Sequence, residues 1–293
     1  EGARFATDWV MGLRARHRVP VTRELELEAG LDTMIDHYTG DLPSPYAVDE
    51  REYRTAQAFF EPRTDTATGA WVTARWLWRG GVELTATARA DVYTSSGNVE
   101  VGPTPRVSMK VPLDKQTRFL GAMGVAAQPP AFAIPIPAVG YSGLPGGLGY
   151  GWQKSAGMER DLPLKFKARA MGFHHSYFNL RDLARNTNDL SFDEPQPVPD
   201  SPVQAYGLEL YVSRNLSERI GAFMAYTLSR AEVGSTPPRP GIKGTVAHLS
   251  PFDRTHVFQI GAAAYLGLGW RISSRFLTYR GWPDLGESAD NLV

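Results

Sequence analysis

The feature that most constrains this chain is an alternation of apolar and polar residues between positions 205 and 232. A period of two residues is that of a β-strand, whose successive side chains point to opposite faces of the sheet. A polar break at residues 216–218 divides the alternation into two runs, which predicts a hairpin. One face of this hairpin is apolar, and the other carries small, polar or charged residues. Such a sheet suits either a soluble sandwich with one wet face or a membrane barrel with a polar lumen.

The cleanest alternation runs from residue 24 to residue 36, with Leu25, Leu27 and Leu31 on one face and acidic residues on the other. This run is about twelve residues long, whereas a strand of a globular protein usually has about five or six. A strand that crosses a membrane at a tilt needs roughly this length.

Further alternating runs predict about twelve antiparallel strands with negligible helix. Tight turns and long loops are expected to alternate, with the long loops at residues 38–68, 94–104, 128–149, 179–203 and 233–254. A soluble sandwich has no reason to keep every second connection short, whereas an outer-membrane barrel has short periplasmic turns and long extracellular loops. The pattern therefore predicts an all-β fold, an antiparallel up-and-down transmembrane β-barrel, rather than a soluble all-β protein.

Composition excludes several functions. The 293 residues include no cysteine, so disulfides, thiolate nucleophiles and cysteine metal sites are ruled out. The formal net charge is +0, so no basic field points to nucleic acid. Mean hydropathy is -0.29, and no apolar run approaches the roughly 18 residues of a membrane helix. That test does not detect barrels, because only every second residue of a barrel strand faces lipid.

Four segments of the second half are similar to segments of a known protein family: residues 206–210 (YGLEL), 226–230 (YTLSR), 252–257 (FDRTHV) and 268–271 (LGWR). Residues 105–108 and 128–130 add to this similarity. Together these segments resemble the C-terminal half of TonB-dependent outer-membrane receptors. The resemblance extends loosely from about residue 5 to residue 283 and is specific from residue 205 onwards.

The resemblance implies a receptor in the outer membrane of a Gram-negative bacterium that takes up a scarce nutrient, such as an iron chelate (siderophore). It implies no cofactor and no enzymatic activity. The implied partners are outer-membrane lipid, a plug domain, TonB acting through that plug, and a small-molecule ligand; nucleic acid is not among them. Residues 1–283 are assigned to the barrel and residues 284–293 to an irregular C-terminal segment.

The family's barrel has about twenty-two strands, and the predicted strands are too few to enclose a plug. We find no plug or TonB-box pattern before the first strand, and we expect this chain to be part of a larger barrel rather than a complete smaller one. The alternative is a passive porin, or a structural barrel subunit of an envelope complex. A plug domain encoded upstream would distinguish the receptor from both.

No catalytic or metal constellation is predicted. His174 and His175 are adjacent on a strand, so they should point to opposite faces and cannot share one ion without a bulge. Ser250, Asp253 and His256 lie close together in sequence, but a catalytic triad needs a shielded site with an oxyanion hole. We therefore expect no enzyme and no metal site.

Ligand contacts are instead expected from loop aromatics, and a second set of polar residues is expected to face the lumen. The predicted ligand-binding residues are Tyr46, Tyr53, Phe59, Phe60, Phe132, Tyr141 and Phe192. The predicted lumen-facing residues are Arg14, Arg16, Glu24, Glu26, Asp32, Arg89, Glu209 and Gln259.

The first hairpin permits a register prediction. Proline cannot donate to the ladder, so a turn centred near Pro20 is expected. That turn places Arg16 opposite Glu24 and Arg14 opposite Glu26, all on one face. The acidic residues then serve either as a cation-attracting wall or, as we favour, as a wall of cross-strand ion pairs.

Overall fold

The structure is a computed structural model that describes residues 6–40, 62–129, 144, 147–179, 203–215, 219–235, 246–250 and 253–281. Nearly all of these residues lie in β-strands. A 3-10 turn at Pro163–Lys165 occupies one of the short connections. Among the described residues, no helix has the length and apolar content needed to cross a membrane.

Fourteen strands form one antiparallel sheet. The strands of the first half are β1 (Ala6–Pro20), β2 (Leu25–Gly40), β3 (Arg63–Leu77), β4 (Glu83–Ser95), β5 (Asn98–Pro103), β6 (Arg106–Pro112) and β7 (Thr117–Gln128). Those of the second half are β8 (Gly149–Asp161), β9 (Phe166–Phe178), β10 (Val203–Arg214), β11 (Ile220–Ser235), β12 (Val246–Leu249), β13 (His256–Gly267) and β14 (Trp270–Tyr279).

Twelve strands follow one another across the sheet in chain order, while β5 pairs with the end of β4 and β12 with the end of β11. At one end of the sheet, six connections have only two to five residues. We call this the short-turn end and the opposite one the long-loop end. The predicted meander is therefore confirmed.

Two predicted loops contain strands. The loop predicted at residues 233–254 contains β12, and β11 extends into it as far as Ser235. The loop predicted at residues 94–104 contains β5. Residues 94–104 form a tight hairpin between β4 and β5, which turns at Ser96 and Gly97 with φ of 47° and 83°. Two consecutive residues with positive φ give the turn that matches the twist of a hairpin, and glycine suits its second position. The long loops and tight turns consequently do not alternate without exception. The loop predicted at residues 38–68 is also too long, because β2 extends to Gly40 and β3 begins at Arg63.

The register of the first hairpin also differs from the prediction. Arg14 lies opposite Asp32, not Glu26, and Pro20 is itself the last residue of β1, opposite Glu26. Arg14 and Glu26 are therefore about 20 Å apart along the strand. The turn follows Pro20, and the Thr22 hydroxyl accepts hydrogen bonds from the backbone N–H of Glu24 (3.1 Å) and Leu25 (3.0 Å). Because β1 is an edge strand, it can hold a proline.

The sheet has no dry core. Among the described residues only three hydrophobic side chains are buried, those of Tyr38, Leu144 and Leu148. Many large apolar side chains of the strands are exposed instead, among them Leu13, Leu31 and Met158. A soluble sandwich would bury such side chains between two packed sheets. Within the described residues, β1 and β14 each pair on one side only, so the sheet is open.

Candidate functional site on the polar face

The strand registers divide the side chains between two faces, because residues directly opposite in neighbouring strands lie on the same face. We call the face that carries Asp32, Arg89 and Glu209 the polar face, and the opposite one the apolar face. All the predicted lumen-facing residues share the polar face, including Glu24, which continues the β2 register from the turn. Leu25, Leu84, Leu210 and Ile260 share the apolar face. That the polar face lines a lumen remains a prediction.

A cluster of alternating charges crosses β1 to β4 on this face. The Arg14 guanidinium donates to the Asp32 carboxylate at 3.0 Å, and Arg89 donates to the other oxygen of Asp32 at 2.9 Å. The Nε of Arg89 donates to Asp91 at 2.8 Å. Arg89 thus joins two carboxylates, and Asp32 joins two guanidinium groups. Each ion is hydrogen-bonded to an opposite charge, which offsets the cost of withdrawing it from water.

Glycine makes room for this cluster. Gly69 lies between Asp32 and Asp91 in the sheet, and a Cβ atom there would be 2.3 Å from both Arg89 Nη2 and Asp91 Oδ1. Gly30 has the same role beside Trp71, since its Cβ would be 2.2 Å from the indole ring. The Arg89 guanidinium lies over that ring, 5.4 Å from its centroid. Two glycines inside strands therefore let long side chains lie flat across the sheet.

A second ion pair lies nearer the short-turn end. Arg18 donates to Glu28 at 2.8 Å and lies 3.5 Å from Glu26. The indole N–H of Trp71 donates to Glu28 at 3.3 Å. Glu26, Glu28 and Asp32 are thus paired across strands, as the favoured interpretation predicted. Arg18 makes these contacts in place of Arg14 and Arg16, because the register differs.

Further along the sheet Arg118 donates to Glu159 at 3.1 Å and also contacts Asp161. Arg75 donates to Glu83 at 2.9 Å, and Arg275 donates to Gln259 at 2.7 Å. Glu209 lies opposite Thr227 on the same face. Many of the charges on the described polar face are therefore paired, and the face is suited to contact with water or a polar solute.

Sequence reasoning missed several residues of this face: Arg18, Gly30, Gly69, Trp71 and Asp91. Alternation alone assigns each of them to a face, and a glycine inside a strand is a further signal of close approach. The contacts among them depend on the register, which alternation does not specify.

The histidines lie apart. His174 is on the apolar face with its ring stacked on Tyr206, 6.5 Å between centroids, while His175 is on the polar face 3.3 Å from the Tyr177 hydroxyl. The adjacent pair thus points to opposite faces, as predicted. Within the described part of the chain, no group of three or more His, Asp or Glu side chains could hold a metal ion.

Asp253 is structural. Its carboxylate accepts hydrogen bonds from the Ala231 N–H (2.6 Å) and the Thr255 hydroxyl (2.8 Å), while His256 contacts Tyr226. The carboxylate thereby takes the place of a backbone acceptor where the pairing of β11 passes from β12 to β13.

The predicted ligand-binding aromatics all lie outside the described residues: Tyr46, Tyr53, Phe59, Phe60, Phe132, Tyr141 and Phe192. Their contact with a ligand stays a prediction.

The sequence matches no protein-family model and no curated protein. The fold, in contrast, is similar to solved structures of transport proteins. The FrpB iron transporter from Neisseria meningitidis aligns with a TM-score of 0.61 and 14% identity, over 89% of this chain and 42% of that chain. The copper transporter OprC aligns with a TM-score of 0.59 and 12% identity, over 94% and 43% of the two chains. The ferric-catecholate import receptor Fiu from E. coli K12 aligns with a TM-score of 0.58 and 12% identity, over 92% and 44%.

This chain spans about two fifths of the length of those proteins. At such low identity the likeness concerns the fold. The chain has the fold of part of an outer-membrane transporter barrel. More particularly, it has the fold of part of the barrel of TonB-dependent receptors, which the sequence resemblance predicted.

Proposed function

We propose that this chain forms part of the barrel of an outer-membrane receptor for TonB-dependent uptake of a scarce nutrient, such as an iron chelate. The observation that carries the proposal is a single antiparallel sheet with one polar and one exposed apolar face, similar in fold to iron and copper transporters. In such a barrel the apolar face contacts lipid and the polar face lines the lumen.

The charge cluster of β1 to β4 supports this assignment. A wall beside a movable plug has to be polar and also rigid, and paired charges with hydrogen bonds across three strands provide both. The proposed lumen is close to neutral over the cluster, because Arg14 and Arg89 face Asp32 and Asp91. The ligand is therefore proposed to be selected in the long loops by the seven predicted aromatics, not along this wall.

The test is nutrient-limited growth of the bacterium that carries the gene. We expect deletion of the gene to abolish growth on one iron chelate as the sole iron source while leaving growth on free ferrous iron intact. Deletion of tonB should give the same loss, and the intact gene supplied on a plasmid should restore growth only when TonB is present.

Uptake that continues without TonB would overturn the proposal and indicate a passive porin. Normal growth on every chelate, with a defect in envelope integrity, would indicate a structural barrel. Replacing the loop aromatics Tyr46 and Tyr141 with alanine should weaken chelate binding by intact cells while leaving the amount of receptor in the membrane unchanged.

A further inference from the structure

The side chains of the apolar face differ in size, and where they are small they leave a groove. Across neighbouring strands β6 to β11, one row of directly opposed residues has small members at its centre and large ones at its sides. In order across the sheet this row is Met109, Gly121, Ala156, Gly172, Leu208 and Leu228. The result is a groove of about 960 Å³ with an apolar floor. Gly172 leaves open space, since the nearest atom to a Cβ there would be the Ala156 carbonyl oxygen at 3.8 Å.

The adjacent row, two residues nearer the long-loop end, is polar. It consists of Lys154, His174, Tyr206 and Arg230, each directly opposite the next, and all four line the same groove. We call these four residues the basic row. Charged side chains on the lipid face of a barrel are destabilising at mid-bilayer and tolerated near the interface. A row of this kind on an otherwise apolar face therefore marks an interface.

The spacing along the strands agrees with that position. On β8 the next charge of the apolar face is Arg160, and on β10 it is Arg214, with only small or apolar residues between. These intervals are six and eight residues, or about 20–26 Å of strand. Allowing for strand tilt, they cover most of an apolar band about 25 Å tall. The basic row thus lies at the membrane interface of the long-loop end.

The basic row has more positive charge than the residues beside it neutralise. Arg230 is paired with Glu232 at 2.6 Å, and the Tyr206 hydroxyl lies 3.4 Å from the same carboxylate. Lys154 is exposed and lies over the Trp152 ring, 4.8 Å from its centroid. Among the described residues Lys154 has no carboxylate partner. A cation held beside an interfacial tryptophan, above an apolar groove, complements an anionic amphiphile.

We propose that this groove binds a membrane lipid with a net anionic, phosphate-bearing headgroup, in the leaflet at the long-loop end. One acyl chain lies over Gly121, Ala156 and Gly172, and the phosphate contacts Lys154 and the outer edge of Arg230. The two residues are three strands apart, about 14 Å between Cα atoms, and both side chains are long enough to reach toward a headgroup between them. The site is distinct from nutrient uptake, because it lies on the opposite face of the sheet from the proposed lumen.

Lipid retention tests the proposal directly. The protein, purified in a neutral detergent, is titrated with phosphatidylglycerol or with phosphatidylcholine of the same acyl chains, and bound lipid is counted by native mass spectrometry. We expect phosphatidylglycerol to bind more tightly. The double variant Lys154→Gln/Arg230→Gln should lower its affinity on the order of tenfold and bring it close to that of phosphatidylcholine.

A second variant tests the groove without changing charge. Gly172→Leu fills the open space and should reduce retention of both lipids, whereas Ala168→Leu, on the same strand and face but outside the groove, should not. Lys110→Gln removes a charge from the polar face and should also leave binding unchanged. Circular dichroism verifies that each variant keeps its β-sheet.

Four results would overturn the proposal: equal retention of the two lipids, unchanged affinity in the double variant, unchanged retention in Gly172→Leu, or displacement by glycerol phosphate as effective as that by intact lipid. The last would indicate a site for free phosphate. A two-chain mass that appears without lipid and is lost in Gly172→Leu would be a fifth such result, and would assign the groove to a second copy.

Discussion

Gly69 is the residue on which the charge cluster of β1 to β4 depends. Its missing side chain leaves the space through which Arg89 reaches both Asp32 and Asp91. We expect Gly69→Ala to displace the guanidinium, leave carboxylates without their partner and lower the free energy of unfolding by about 1–3 kcal/mol. Urea unfolding in detergent micelles measures this.

Gly12→Ala is the matched control. Gly12 is in β1 and, like Gly69, lies on the polar face. Its Cβ would meet only the Thr33 carbonyl oxygen, at an ordinary 3.8 Å. Both substitutions restrict the backbone of the unfolded chain to the same extent. The difference in unfolding free energy between the two variants therefore isolates the effect of the clash at residue 69. Equal stability of the two would show that Arg89 can move without loss.

Single residues also show what alternation can and cannot predict. The assignment of Arg14, Asp32 and Arg89 to one face was correct, because a period of two fixes the face. The partner of Arg14 was wrong by six positions. Acidic residues stand at Glu24, Glu26 and Glu28 and again at Asp32 and Asp36, so several registers place an arginine of β1 opposite a carboxylate. The choice among these registers depends on the position of the turn, which is set by Thr22 and not by Pro20.

At the scale of elements, Asp253 connects β11 to β13 where backbone pairing is interrupted. Its side chain is 3% exposed and accepts the Ala231 N–H. We expect Asp253→Ala to leave that donor without a partner and to cost about 1–3 kcal/mol of unfolding free energy. Asp253→Asn keeps an acceptor oxygen and should cost distinctly less. Equal losses in equilibrium unfolding would show that charge, not hydrogen bonding, is what the site requires.

The short turn between β6 and β7 should respond to acid. Asp114 accepts hydrogen bonds from the backbone N–H of Gln116 (2.7 Å) and Thr117 (2.8 Å), and these bonds lower the pKa of its carboxyl below the ordinary 3.8. A group with a lowered pKa in the folded chain stabilises it fully above the unfolded value. This stabilisation is lost as pH falls through the folded pKa.

The measurement is the difference in unfolding free energy between the parent protein and Asp114→Asn at a series of pH values. We expect the difference to be constant from pH 7 to about 5 and to shrink below the ordinary pKa. A difference that grew on acidification would contradict the assignment of the carboxylate as acceptor.

The hairpin of β4 and β5 is one of two elements that sequence reasoning missed, the other being β12. Ser95, Ser96, Gly97 and Asn98 form a polar cluster that indicates a loop, although Val99 and Val101 resume the alternation immediately. A serine–glycine pair can make a two-residue turn as readily as it can begin a loop. Pairing with β4 decides between them, because β5 and β6 both pair with β4, and in the same register.

For the whole molecule, the decisive question is which face meets lipid. Leu210 is on the apolar face of β10, midway between Tyr206 and Arg214, and Thr227 is on the polar face of β11. We expect Leu210→Lys to cost roughly 2–4 kcal/mol on refolding into a bilayer, as a cation near the midplane does. Thr227→Lys, placed opposite Glu209, should be mild. Equal costs in lipid would show that the apolar face is not turned to the membrane.

The unequal lengths of the connections have a genetic consequence. An insertion of one residue between β13 and β14, where the connection is only Leu268 and Gly269, would either distort the turn or exchange the two faces of β14. The connections that follow β2, β7 and β9 have 20 to 24 residues, and closing a longer loop adds little entropy cost. The long-loop end should therefore tolerate epitope tags, immune-driven variation and laboratory insertions, whereas the short-turn end should not.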